Sequence, residues 1–238
     1  MKRNEFINGI KDGIPICLGY FSVSMAFGIA AVKGGIPVWA ATLTSLSNVT
    51  SAGQFAGINI MLALGSLIEL AITTLIINMR YFLMSLSVSQ KVDSSMTLWQ
   101  RLIVSFGITD EIFAVSMRHT RSLSASYMYG LILTPVIGWT MGTLAGAVFT
   151  SVMPAALSSA MGIALYGMFI AIIIPPAREN YKVAIAIIMA VAASLVFTYA
   201  PVVCNISNGW AIIIITISVS ALCATLFPID VSKGGDDI

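Results

Sequence analysis

Four charged side chains stand inside or at the edges of long apolar stretches: Glu69, Arg80, Asp110 and Glu111. Elsewhere the chain is nearly empty of charge, and residues 34–68, 122–177 and 183–229 contain no Asp, Glu, Lys or Arg. Ionisable groups in such a setting are costly and mark ion or substrate pathways. On a helix, the adjacent Asp110 and Glu111 point about 100° apart, so one can face a cavity while the other faces a neighbour. A carboxylate held in low dielectric favours its neutral form and can take up and release a proton near neutral pH. That is the chemistry proton-coupled transport requires. The bland alternative places both at a membrane edge, paired with Arg118 or Arg121. Arg80 offers a planar fork suited to a substrate carboxylate, or else it snorkels to the head groups. Glu69 shares roughly a helical face with Arg80 but lies about 16 Å away along the axis. It is too far to pair directly and needs a proton, a water-filled cavity or another partner. Asp110, Glu111 and Glu69 are thus the candidates for proton coupling.

A second candidate is polar without being charged. Residues 36–57, with WAATLTSLSNVTSAGQFAG at their centre, are rich in Thr, Ser, Asn, Gln and Gly. Such a segment suits lipid poorly. It reads either as a helix packed closely through small residues or as a broken or re-entrant element lining a cavity. A free amino acid presents a carboxylate and an ammonium close together, which a helix N-terminus and unwound carbonyls can meet. The expected substrate cradle is Ser47–Gly57, with Asn48, Gly53, Gln54 and Phe55 as contacts and Arg80 in support. Gly53 would let backbone approach, and Gln54 supplies both donor and acceptor.

These groups need elements to position them, and composition fixes the class. The 238 residues are 58% hydrophobic and only 9% charged, with a mean hydropathy of +0.96. A soluble domain carries roughly a quarter charged residues, and uncharged runs of this length exceed the ~20 residues of one bilayer crossing. The chain reads as an all-α, polytopic membrane protein, a single domain over 1–238, with about seven segments (six to eight). Expected segments are 13–32, 36–57, 58–79, 102–117, 127–149, 157–175, 183–200 and 210–227. Pro15 is expected in the opening turn of the first, and a polar connection over 85–101. Positive-inside counting leaves two topologies with the N-terminus cytoplasmic. Eight spans leave Lys33, Lys91 and Arg101 outside; six spans, with 36–57 and 102–117 re-entrant, leave only Lys33. Segment count alone raises an inverted repeat. The net charge of +2 is too small and scattered for nucleic-acid binding. Cys17, Cys204 and Cys223 are isolated and read as buried apolar side chains. The thirteen Met residues read as adaptable packing. His119 is the only histidine, which excludes a multi-histidine metal site, and no metal or cofactor is expected.

Several short signatures, in order over residues 5–182, resemble the large subunit of the azaleucine-resistance (AzlC-type) branched-chain amino acid exporters. They are Pro15-Ile16 with Gly19 and Ala26-Phe27-Gly28; Ala52-Gly53-Gln54-Phe55-Ala56; Asn78-Met79-Arg80 with Tyr81 and Ser85; Thr109-Asp110-Glu111 with Phe113-Ala114; and Ala164–Ala171 running into Pro175-Pro176. Family members often carry His after the Arg of the third signature. Here it is Tyr81, so a proton-carrying role for that His does not transfer. The resemblance implies a permease of the bacterial cytoplasmic membrane that exports branched-chain amino acids together with a small AzlD-type membrane subunit. A channel subunit for ions or small solutes is the rival reading, and would show no dependence on a titratable carboxylate. An enzyme is disfavoured, because no H-E-x-x-H, no serine motif beside a base and no metal-binding acidic cluster is present.

Overall fold

The structure, a computed structural model, describes residues 2–150, 156, 167, 170, 173–200 and 206–228. The described residues are helical, with one isolated backbone bridge between Val92 and Leu123 and no strand. The helices are α1 (Lys2–Lys33), α2 (Val38–Ser47), α3 (Ser51–Leu62), α4 (Leu67–Lys91), α5 (Leu98–Phe106), α6 (Asp110–Arg118), α7 (Ala125–Phe149), α8 (Tyr181–Tyr199) and α9 (Asn208–Leu226). Five of these, α1, α4, α7, α8 and α9, are long and apolar enough to cross a membrane. About seven segments (six to eight) are expected over the whole chain; the described residues supply these five, and the expected segment 157–175 lies largely outside them. The inverted repeat finds no support there, since both pairs of short broken helices precede α7. The chain divides into two compact units, Met1–Ile58 with Ile77–Tyr166, and Asn59–Ile76 with Gly167–Ile238.

In the first unit α1 and α7 run side by side in parallel, and their contact is made of small residues. Gly130, Gly138, Gly142 and Gly146 recur on α7, and a Cβ at any of them would collide with the α1 backbone at Phe6, Cys17, Phe21 or Met25. Gly9 and Gly28 meet the α7 backbone in the same way, at Tyr127 and Thr143. This is the small-xxx-small packing that lets membrane helices approach closely. It also corrects the expected start of the first helix. α1 begins at Lys2 rather than near Ile14, so Pro15 lies inside it. The polar first turns are held onto α7 by Ser124 Oγ–Glu5 Oε2 (2.7 Å) and Tyr127 Oη–Asp12 Oδ2 (2.8 Å).

The same end of the unit gathers two connections. Lys91 Nζ donates to the Met117 carbonyl at 2.6 Å. Backbone bonds Asp93 N–Leu123 O and Leu123 N–Lys91 O (both 2.9 Å) tie residues 92–97 to 119–124. There the Asp93 carboxyl is held below its ordinary range by the Ser95 backbone N–H and hydroxyl. The expected polar connection 85–101 is therefore shorter, because α4 runs on to Lys91 and α5 starts at a Thr97–Gln100 capping box. Since α4 ends and α7 begins at one end, α5 and α6 enter from that end and return to it. The expected segment 102–117 is this broken hairpin, with its tip at Gly107–Thr109. A Cβ on Gly107 would fall 2.9 Å from Ile132 Cγ1, so the tip lies tight against α7.

α2 and α3 make the corresponding hairpin from the other end. Gly35 (φ +96°) ends α1 in a left-handed turn, with Ile36 N–Ala31 O at 2.9 Å and Gly35 N–Val32 O at 3.0 Å. The break Asn48–Thr50 then separates α2 from α3. The expected broken segment near 36–57 is thus present as two helices. Its end is later than expected, since α3 continues to Leu62.

The second unit contains the α3–α4 corner and the α8–α9 pair. Gly65 N–Ile60 O (2.9 Å) and Leu64 N–Met61 O (3.1 Å) close α3 with Leu64 itself left-handed (φ 55°). Such a conformation costs a residue with a side chain roughly 1–2 kcal/mol. The start of α8 packs on the end of α9 through Tyr181 and Phe227, with ring centroids 6.2 Å apart. No α8 residue is buried, as suits a helix facing lipid.

Candidate functional site

The site is built at the tip of the α5–α6 hairpin. Thr109 is the N-cap of α6, its hydroxyl oxygen accepting the Ile112 N–H at 3.5 Å. Asp110 and Glu111 occupy the first turn, where the helix dipole favours negative charge. Their divergence on the helix sends them to different partners. Asp110 Oδ2 pairs with Arg80 Nη2 of α4 at 2.9 Å. Glu111 Oε2 accepts the Tyr20 hydroxyl of α1, and the same phenol oxygen lies 2.7 Å from Thr109 Oγ1. A phenol has one proton, so with that given to Glu111 the Thr109 hydroxyl is the donor between the other two. Arg118 and Arg121, the alternative partners read from the sequence, are not used.

From Arg80 the network continues to the other hairpin. Its guanidinium stands 4.9 Å from the Tyr81 ring centroid and donates to Tyr81 Oη at 3.2 Å. Tyr81 Oη donates to Thr50 Oγ1 at 3.3 Å, and Thr50 donates to Asn78 Oδ1 at 2.9 Å. Thr50 closes the α2–α3 break, so both hairpin tips are joined to the middle of α4. Arg80 lies eleven residues before the end of α4 at Lys91, so the site sits roughly 16 Å in from that end at 1.5 Å per residue. The expected segment 58–79, which would put Arg80 at a helix end, is corrected: Arg80 is interior to α4, and Asp110 and Tyr81 are its partners.

A third string is sealed. Gln54, 2% exposed, donates from Nε2 to Ser45 Oγ at 2.8 Å and accepts Trp139 Nε1 at 2.7 Å. Ser45 Oγ lies 2.7 Å from Thr143 Oγ1, which donates to the Ser24 carbonyl at 3.3 Å. Trp139 stacks edge-on against Tyr20, centroids 5.3 Å apart, and so joins this string to Glu111.

The expected cradle is therefore divided. Asn48 is half-buried at the break with a non-helical backbone. Gly53 is where α3 meets α4: a Cβ there would stand 2.8 Å from Thr50 Cγ2 and 3.2 Å from Asn78 Oδ1. Phe55 belongs to an apolar cluster, edge-on to Phe27 at 5.3 Å. Glu69 belongs to the second unit. The expected segment 58–79, which would carry Glu69 at its middle, is corrected: Glu69 sits in the first turn of α4, its N–H capped by Ser66 Oγ at 3.1 Å. It is 5% exposed and accepts the Ser207 hydroxyl at the start of α9. Gly209 leaves the space its carboxylate fills.

Tyr20, Thr50, Tyr81 and Trp139 were not singled out as site residues from the sequence. A signal existed for two of them. A buried Tyr or Trp in an uncharged span needs a partner for its polar tip.

Gln54 also sets an accessibility test. In a background lacking Cys17, Cys204 and Cys223, cysteine at Asn48 or Ser51 should react with a small polar thiol reagent. The same substitution at Gln54 should stay unreactive and cost about 1–3 kcal/mol by stranding Ser45 and Trp139. Rapid labelling of Gln54→Cys in a folded protein would show that this string opens to water.

A protein-family profile described as "AzlC protein" matches residues 15–153. The inner membrane protein YgaZ of Escherichia coli (strain K12) is 28% identical over 203 residues, covering 81% of this chain and 82% of that protein. An uncharacterized membrane protein of Archaeoglobus fulgidus is 28% identical over 182 residues, covering 76% and 80%. Another, from Helicobacter pylori (strain 26695), is 28% identical over 155 residues, covering 62% and 67%. No solved structure matches significantly. The matched span 15–153 encloses Tyr20, Gln54, Arg80, Asp110, Glu111 and Trp139.

Proposed function

The chain belongs to the AzlC family of membrane proteins, and on that premise we propose that it exports branched-chain amino acids in exchange for protons across the bacterial cytoplasmic membrane. The observation that carries this reading is Arg80 of α4, which pairs with Asp110 at one hairpin tip and reaches the other through Tyr81 and Thr50, with a second carboxylate alongside. Arg80 and Asp110 form an ion pair at 2.9 Å, and Glu111 shares the first turn of α6 with Asp110. Arg80 supplies the fork for a substrate carboxylate, and the α2–α3 break at Asn48–Thr50 supplies unwound backbone beside it. Glu111, held by Tyr20, carries the coupling proton. Glu69 is the next candidate for that role.

The end that gathers Arg3, Lys91, Arg118 and Arg121 is the cytoplasmic one by the positive-inside rule. The re-entrant topology, which leaves only Lys33 outside, is then the one adopted in the first unit. Transport also requires the small AzlD-type subunit. The α8 and α9 surfaces, uncharged beyond Lys182 at the start of α8 and largely unburied, suit lipid or a partner's helices.

Inside-out vesicles with an acidified lumen test the reading. Labelled leucine, isoleucine or valine should accumulate when the chain and the small subunit are present together, and hardly at all with the chain alone. Full uptake by the purified chain alone would remove the subunit from the account. Uptake indifferent to the proton gradient would remove the coupling.

A further inference from the structure

We propose that the Arg80–Asp110 pair is the recognition element for a zwitterion, opened by substrate so that the ligand carboxylate takes Arg80 and the ligand ammonium takes Asp110. The inference rests on the amino acid reading above and changes the part given to Asp110, from proton carrier to substrate contact.

Three observations lead there. The pair is formed but not sealed: the two side chains are 42% and 35% exposed, in contrast to the closed Gln54 string. Each member has a support that stays behind when the pair opens. Arg80 keeps Tyr81 Oη at 3.2 Å and its ring face at 4.9 Å. Asp110 keeps the N-terminal turn of α6. Finally, the neighbouring carboxylate is already engaged, because Glu111 is bonded to Tyr20. Asp110 is therefore the anion free to exchange its partner.

The charge balance selects the ligand. A zwitterion replaces one ion pair by two and brings no net charge to this depth. A monocarboxylate or a monoamine brings a full charge and leaves Asp110 or Arg80 without a counter-ion, which low-dielectric surroundings penalise. The predicted substrates carry a free α-amino and a free α-carboxyl group. The corresponding 2-oxo acids, amines and N-acylated amino acids are rejected. Opening the pair also unties α4 from the tip of α6, so occupancy itself biases the helices towards a second arrangement.

The deciding measurement is ligand-dependent thermal stabilisation of the purified full-length chain, with leucine, 3-methylbutanoate and 3-methylbutylamine titrated separately. Leucine should stabilise at a concentration at least tenfold below either half-ligand. With Asp110→Asn, leucine should weaken at least tenfold while 3-methylbutanoate binds as well as before or better, since Arg80 is then free. A merely structural role for Asp110 would not produce that crossover. Equal potency of leucine and 3-methylbutanoate on the unaltered chain overturns the proposal, and needs no variant to fold. If leucine itself has no effect while labelled leucine export is also absent, it is the amino acid reading that fails. Stabilisation by leucine without discrimination defeats only the zwitterion site.

Discussion

Glu111→Gln stops export driven by a proton gradient while leaving leucine–leucine exchange across the same vesicles in place. The amide keeps the shape of the side chain and can still meet the Tyr20 hydroxyl, but it removes the group that takes up and releases the proton. Exchange does not require return of the empty, deprotonated carrier, so it survives. Tyr20→Phe acts on the same step from the other side. It removes one hydrogen bond to a carboxylate, worth about 1.5–3 kcal/mol, which is roughly a ten- to hundredfold weakening of the Glu111 position at 1.4 kcal/mol per decade. Asp110→Asn behaves differently, losing exchange and gradient-driven export together, because it removes a substrate contact. Flux measured with and without the gradient separates the three variants. Normal gradient-driven export by Glu111→Gln would move the proton elsewhere, with Glu69 and its Ser207 partner next in line.

Gly142→Leu prevents accumulation of the folded protein. Gly142 faces Ser24 and the Phe21 backbone across the α1–α7 contact, with Phe21 Cα 2.8 Å from where a Cβ would stand. A backbone neighbour cannot rotate away, so the two helices must part. Overpacking a tight contact costs about 1–3 kcal/mol, and more when backbone must move. Separating α1 from α7 also breaks the Thr143–Ser24 bond and the Tyr20–Trp139 ring contact and displaces Tyr20 from Glu111. Gly19→Ala is the matched control. Gly19 is exposed on α1, the partner helix, with nothing within 4 Å of its Cβ position, and Ala there gains roughly 0.5–1 kcal/mol in helix propensity. Membrane yield and thermal aggregation temperature in detergent should move in opposite directions for the two. Near-wild-type behaviour of Gly142→Leu would mean the contact is looser than drawn.

Read alone, the sequence was decisive wherever a property belongs to one residue against its solvent. The uncharged runs identify a membrane protein because no soluble surface can be made from them. The same emptiness makes Glu69, Arg80, Asp110 and Glu111 visible, and three of these four lie in the polar belt of the first unit. The poor lipid match of residues 36–57 marked the first broken hairpin, and the shortness of 102–117 marked the second. Other local signals lie in the sequence too: the Thr97–Gln100 capping box, Thr109 as an N-cap, and glycines at 138, 142 and 146 in the spacing of a helix contact. Others were absent. Leu64 takes the left-handed position a reader looks for under glycine, so the α3–α4 corner was misplaced and Glu69 was expected in the middle of a span.

Tertiary structure alone decided the pairings. Whether Asp110 meets Arg80 or Arg118 depends on which helix lies against the α6 tip, and no local pattern encodes that. Packing of α1 on α6 brings Tyr20 to Glu111, and packing of α3 on α7 brings Gln54 to Trp139, so that an expected substrate contact is buried in a clasp. Hydropathy and capping act within a turn or two of chain, whereas a hydrogen bond is satisfied by whichever partner packing delivers. The sequence therefore located the charges, and the fold chose what each of them holds.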